Sequence, residues 1–159
     1  MASIHNISIE GINGKEIALS QFKGKKLLVV NVASACGFTF QYEQLEALYR
    51  QFQDRLAILG CPCNDFGSQE EGSEEEILRF CTTSFDVTFP LSKKINIRKA
   101  PVHPLYEWLT LKTRNGVADS QVDWNFQKYA VGADGSLQHI FSAESSPLDA
   151  QVLEWIEAA

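Results

Sequence analysis

The run KKLLVVNVAS, residues 25–34, constrains the fold more than any other stretch. Leu27, Leu28, Val29, Val30 and Val32 form an almost unbroken apolar series. A strand on a half-solvated sheet alternates apolar and polar residues, whereas a strand buried on both faces does not. The chain must therefore supply helices to cover a sheet on both sides. Its 159 residues suffice to bury such a core without cross-links. No linker, long repeat or low-complexity segment interrupts it, so one domain over residues 1–159 is expected.

From Thr39 the period changes. Leu45, Leu48, Tyr49 and Phe52 fall on one face of a helix. Leu56 to Gly60 is a second buried strand, which makes a β-α-β unit with parallel strands and a right-handed crossover. Upstream, ISIEGINGKEIAL alternates around Asn13-Gly14 and reads as a hairpin with a two-residue turn. Downstream, CPCNDFGSQEEG is a loop, and Ser73 with Glu76 forms a capping box that opens a helix with Ile77, Phe80 and Cys81 inward. A further helix is predicted over Pro104 to Lys112, with Leu105, Trp108 and Leu109 inward. Phe126 to Val131 and Leu137 to Phe141 make an antiparallel hairpin. Ser146-Pro147 starts a last helix with Pro at its first position and Leu148, Val152, Trp155 and Ile156 buried. The order predicts an α/β fold: a central mixed sheet flanked by helices, an N-terminal β-hairpin, and a thioredoxin-like arrangement.

The net charge of -6 is the wrong sign for a nucleic-acid-binding surface. No run of about 18 apolar residues predicts an integral membrane helix. The N-terminal MASIHNISIE lacks the features of a secretory signal, so a reducing, cytoplasmic setting is expected. There, cysteines are more often free, catalytic or metal-binding than stapled.

Cys36 follows the buried strand and precedes the helix, at the strand end where α/β sheets bind ligands. Unpaired N–H groups at a helix start favour thiolates. Ala33, Ser34, Ala35 and Gly37 are small and leave room for close approach. Thr39 stands where a C-x-x-C motif would have its second cysteine, so a second thiol must come from elsewhere. Cys81, on a later helix, is the best candidate for such a partner, and inward packing beside Phe80 is the equal alternative. Two cysteines must bring their Cα atoms within roughly 7 Å to be bridged, so movement or unwinding of that helix on oxidation is an expectation, and Thr82-Thr83-Ser84 is weak enough in helix propensity to fray. Cys61-Pro62-Cys63 with scattered histidines (His5, His103, His139) is a poor zinc pattern and reads as strand-end packing. Gln69, Trp124 and Asn125 carry donors that could hold a peroxide oxygen, but the residues alone do not select them from the chain.

Four blocks resemble the glutathione peroxidase family: NVASACGFT, LGCPCNDFGSQEEGS, FCTTSFDVTFP and WNFQKYAV. Their order and spacing span nearly the whole chain. The resemblance implies a thioredoxin-like fold and reduction of hydroperoxides without a metal or organic cofactor. It places the attacking residue on Cys36 and the rest of the family's tetrad on Gln69, Trp124 and Asn125. It places the resolving cysteine of the thioredoxin-linked branch on Cys81 and a dispensable cysteine on Cys63. Phe40, Asp65 and Glu71 depart from the usual Pro, Gln and Pro, and Cys61 stands where Phe is common. Asp65 would raise a thiolate pKa if it lay close to one. The short segment 112–123 resembles the monomeric members, which lack the insertion of the tetrameric ones.

The implied cycle begins with peroxide attack by Cys36, giving a sulfenic acid. Cys81 condenses with it to a disulfide, which thioredoxin reduces. Glutathione as the reductant, or a sensor passing its disulfide to a partner protein, are the alternatives.

Overall fold

The computed structural model describes residues 3–158, so the first two residues of MASIHNISIE and the final Ala159 lie outside it. The N-terminal alternation forms an antiparallel hairpin of β1 (Ser8–Glu10) and β2 (Glu16–Ala18), with Ile9 opposite Ile17. Its turn is longer than expected. Gly11 N donates to Lys15 O at 2.7 Å and Gly14 N to Gly11 O at 2.9 Å. Gly14, at φ 86, ends this loop, the position where a longer hairpin turn uses a left-handed residue.

The apolar run is β3 (Lys26–Val32), buried from Leu27 onward. Helix α1 (Gln41–Gln51) links it to β4 (Leu56–Pro62), and the two strands pair in parallel. After α2 (Glu74–Phe85), α3 (Pro104–Thr110) and the single turn α4 (Lys112–Asn115), the chain returns as β5 (Lys128–Val131) and β6 (Leu137–Phe141). Both join antiparallel, giving the order β4-β3-β5-β6, before α5 (Ala150–Glu157). The sheet is mixed and β3 lies inside it, which accounts for its apolar character.

Alternate β3 residues enter two cores. Leu28, Val30 and Val32 pack with Leu45 and Leu48 of α1, Ile77 and Cys81 of α2, and Val152, Trp155 and Ile156 of α5. Leu27 and Val29 pack on the opposite face with Leu105, Trp108 and Leu109 of α3. Each such buried aliphatic contributes roughly 2 kcal/mol of transfer free energy.

Three element boundaries differ from expectation. The helix predicted through Lys112 stops at Thr110, and Leu111 is extended at φ -110, ψ 119. Asp119 Oδ1 accepts from Lys112 N at 2.8 Å and caps the separate turn α4. Ser146-Pro147 opens a turn rather than a helix, with Asp149 N bonded to Ser146 O at 3.0 Å. Helix α5 therefore begins at Ala150, and Leu148 is exposed rather than buried. The strand expected from Phe126 starts at Lys128, because Phe126 is left-handed at φ 69.

Candidate active site

The chain leaves β3 through Ala33 and makes a tight turn before α1. Cys36 N donates to Thr39 Oγ1 at 2.9 Å, and that hydroxyl donates to Ala33 O at 2.9 Å. Thr39 N returns to Cys36 O at 3.0 Å. The residue that replaces the second cysteine of a C-x-x-C thus ties both ends of the turn together. Phe38 N–H is directed at Cys36 Sγ, 3.3 Å away. Cys36 is only 9% exposed, yet Ala35 and Gly37 beside it are open to solvent.

The loop after β4 lies alongside. Ala35 N donates to Gln69 O at 3.1 Å, and Ser34 N donates to Glu70 Oε1 at 3.0 Å. Gly67 and Ser68 are both left-handed, at φ 73 and 53, and turn the chain into Gln69. Asn125, fully buried, donates through Nδ2 to Gln69 Oε1 at 3.1 Å and to Phe66 O at 3.2 Å. This engages the carbonyl end of Gln69 and leaves its NH₂ end as a donor. Trp124 stacks edge-on to Phe66, with centroids 6.3 Å apart, and belongs partly to the same apolar cluster as Cys36. Gln69, Trp124 and Asn125 are thereby brought together, and Gln69 is joined to the Cys36 turn through Ala35. A cleft of about 340 Å³ runs between Ser34, Ala35, the Gln69–Gly72 loop and the Ile77 and Phe80 face of α2.

All four cysteines are free thiols. Cys81 is fully buried on α2 in the cluster that contains Cys36. Burial pushes its thiol up to about 11, and the charge of Glu70 adds to that. Helix α2 runs through Thr82-Thr83-Ser84 to Phe85, so the fraying expected there is not seen in this state. Cys61 and Cys63 lie in the other cluster, across the sheet, and burial pushes both to about 12. Asp65 turns to the backbone N–H groups of Ile97, Arg98 and Lys99, at 2.8, 2.9 and 3.1 Å. Burial opposes its ionisation, but these three donors outweigh burial and hold the carboxyl below its usual range. It sits beside Cys63, whose Sγ accepts from Asp65 N at 3.4 Å, and after burial its charge adds to the upward push on that thiol, so the effect expected of Asp65 falls on Cys63.

Sequence reasoning passed over two residues that build this site. Asn31, fully buried in β3, donates through Nδ2 to Trp124 O at 3.0 Å, and its own carbonyl accepts from Phe126 N. It fixes the Trp124-Asn125 segment from both sides. The signal was a polar residue inside an apolar strand, which has to find partners when buried. Glu70 is also buried and holds Ser34, but it stands among Glu71, Glu74, Glu75 and Glu76, and nothing in that acidic stretch distinguishes it.

The glutathione peroxidase family profile matches residues 4–110. The Thioredoxin/glutathione peroxidase BtuE of Escherichia coli strain K12 is 40% identical, covering 99% of this chain and 97% of its own. The Hydroperoxy fatty acid reductase gpx1 of Synechocystis is 41% identical, covering 91% of this chain and 89% of its own. Among solved structures, that of Trgpx in its apo form superposes with a TM-score of 0.73 at 35% identity, over 99% of this chain and 97% of that one.

Proposed function

The chain belongs to the glutathione peroxidase family, and from that premise we propose a two-cysteine thiol peroxidase cycle. The protein reduces hydroperoxides with electrons from a thiol reductant. Cys36 as thiolate attacks the distal peroxide oxygen, the O–O bond breaks, and water or an alcohol leaves a sulfenic acid on Cys36. The NH₂ of Gln69, oriented by Asn125, and the indole of Trp124 bind the peroxide and stabilise the charge on the departing oxygen. Cys81 then condenses with the sulfenic acid, and thioredoxin reduces the disulfide by exchange. Organic and lipid hydroperoxides are substrates alongside H₂O₂, in line with the fatty-acid chemistry in the name of the Synechocystis relative. The reaction runs in a reducing compartment, the cytoplasm, on a monomer.

One observation carries the choice of Cys81. It shares a face of the sheet with Cys36, while Cys61 and Cys63 pack on the opposite face. Glutathione remains the second reading for the reductant, since the Escherichia coli relative is named for both donors.

Two substitutions test the cycle. Cys36→Ser protein is expected to lose peroxide turnover, and retained activity contradicts its role as nucleophile. Cys81→Ser protein is expected to consume about one equivalent of peroxide and then stop with thioredoxin. Sustained thioredoxin cycling by that variant rules out Cys81 as the resolving residue.

A further inference from the structure

Closure of a Cys36–Cys81 disulfide has to dispose of a proton, because Cys81 in its buried setting is a thiol, pushed up to about 11. A protonated sulfur is a poor nucleophile, so a nearby acceptor is needed. The cycle above uses none. Two carboxyls are buried near this face, and of these Glu46 is engaged by Arg50 and Thr88, which leaves Glu70. It is 1% exposed, its Oε1 is engaged by Ser34 N at 3.0 Å, and the Ser34 side chain also acts on the carboxyl. It lines the 340 Å³ cleft together with Ser34, Gln69, and Ile77 and Phe80 of α2.

Its surroundings define the electrostatics. Cys81 on α2 and Tyr42 on α1 both feel the Glu70 charge. The Tyr42 hydroxyl is buried and lies against Cys81, where it favours the thiolate. Lys94 donates through Nζ to Glu70 O at 3.2 Å, and Glu71 and Glu76 line the cleft. Burial lifts the Glu70 carboxyl above its ordinary range, against the pull of Ser34 and Lys94. That direction brings a carboxylate closer to the proton affinity useful at neutral pH.

We propose that Glu70 is the general base of disulfide closure, taking the Cys81 thiol proton and handing it to the hydroxyl that leaves Cys36. This rests on the two-cysteine reading. As α2 yields and the sulfurs meet, the Cys81 S–H bond breaks toward Glu70 Oε2. The Cys81 sulfur attacks the Cys36 sulfur and the S–S bond forms. The Cys36 S–O bond breaks, and the hydroxide takes the proton back from Glu70 and leaves as water. Cys81 is oxidised, the Cys36 sulfenic sulfur is reduced, and Glu70 ends as it began. The neutral Tyr42 hydroxyl supplies a donor to the transient Cys81 thiolate.

The test is a single turnover with one equivalent of H₂O₂. Sulfenic acid is read by a carbon-acid trap and disulfide by loss of alkylatable thiols, both by mass spectrometry. Glu70→Gln keeps an acceptor for Ser34 N and removes the base together with the charge that raises the Cys81 thiol, so any slowing is seen against an easier ionisation of Cys81. It is expected to accumulate sulfenic acid and close about a hundredfold more slowly at pH 7. Its closure should recover as pH rises toward the region where Cys81 ionises unaided. Closure at the wild-type rate, with the wild-type pH profile, overturns the proposal. The wild-type protein supplies an arm that needs no variant. Its closure should slow as pH falls through the Glu70 titration, since the acid form cannot accept a proton. Closure insensitive to pH from about 5 to about 8 also overturns the proposal. A wild-type protein that stops at sulfenic acid overturns the two-cysteine cycle and this role with it, an outcome distinct from a variant that matches a closing wild type.

Discussion

No side chain larger than hydrogen fits at Gly67. Its φ of 73 is left-handed, and a Cβ there would lie 2.7 Å from Trp124 Cη2. The Gly67→Ala protein has to strain its backbone or push the indole away. It should lose about 2 kcal/mol of stability and most of its peroxide turnover, read by urea unfolding and a peroxide-consumption assay. Wild-type turnover in that variant contradicts the place given to Trp124. Asn31→Ala makes a parallel case, because it removes the donor that holds Trp124 O in a buried site. A cost of about 1–3 kcal/mol is expected in the same unfolding assay. Such residues were hard to read in the sequence. Cys36 could be found from its strand-turn position alone, whereas Gln69 and Asn125 meet only because two loops distant in the chain fold against each other. Local pattern carries no information on that contact, and only the family resemblance pointed to them.

Elements with strong local signals were legible. The unalternating β3, the apolar stripe of α1 and the Ser73/Glu76 capping box each follow from a few neighbouring residues, and all three form as expected. The break at Leu111 and the late start of α5 were not legible, because each is set by a side chain or turn that competes with the helix. Helix α2 is held at both ends. The capping box fixes its start, and its far end is clamped to α1. Glu46, buried on α1, accepts from Thr88 N at 2.8 Å, and Arg50 donates to Asp86 Oδ2 at 3.0 Å. Thr88 Oγ1 also donates to Glu46, at 2.5 Å. Thr88→Val removes that hydroxyl and should cost about 1 kcal/mol, with faster hydrogen exchange confined to the last turn of α2. Unchanged exchange there contradicts the clamp. Strand β5 carries a different load. Lys128 is fully buried, and its ammonium donates to Ser142 O at 3.2 Å and Ala143 O at 3.1 Å, and to Ser145 O. Burial lowers its pKa to about 7, with Asp149 opposing. The unfolded chain keeps that proton to about pH 10.4, so between about 7 and 10.4 the unfolded state binds more protons. Stability from this group therefore rises with pH across that window and is lost as pH falls toward 7. Lys128→Met should flatten the rise in a pH series of unfolding free energies, and an unchanged slope contradicts it.

At the scale of the molecule, the two apolar clusters share one sheet, and β3 feeds both. A chain built this way should unfold as one cooperative unit, which is the expectation for a single domain over residues 1–159. Fluorescence and far-UV circular dichroism should then give coincident urea transitions, and separated transitions contradict it. The sheet also divides the cysteines, with Cys36 and Cys81 on one side and Cys61 and Cys63 on the other. Among the described residues no helix is long and apolar enough to cross a membrane. On the proposed cycle, Cys36 and Cys81 form one redox couple served by thioredoxin. Its most direct test is NADPH consumption with peroxide, comparing thioredoxin and thioredoxin reductase with glutathione and glutathione reductase, for wild-type and Cys81→Ser protein. The account predicts rapid turnover with thioredoxin that vanishes in Cys81→Ser. Rapid turnover with glutathione alone, unaffected by Cys81→Ser, would contradict it and reduce Cys81 to a packing residue.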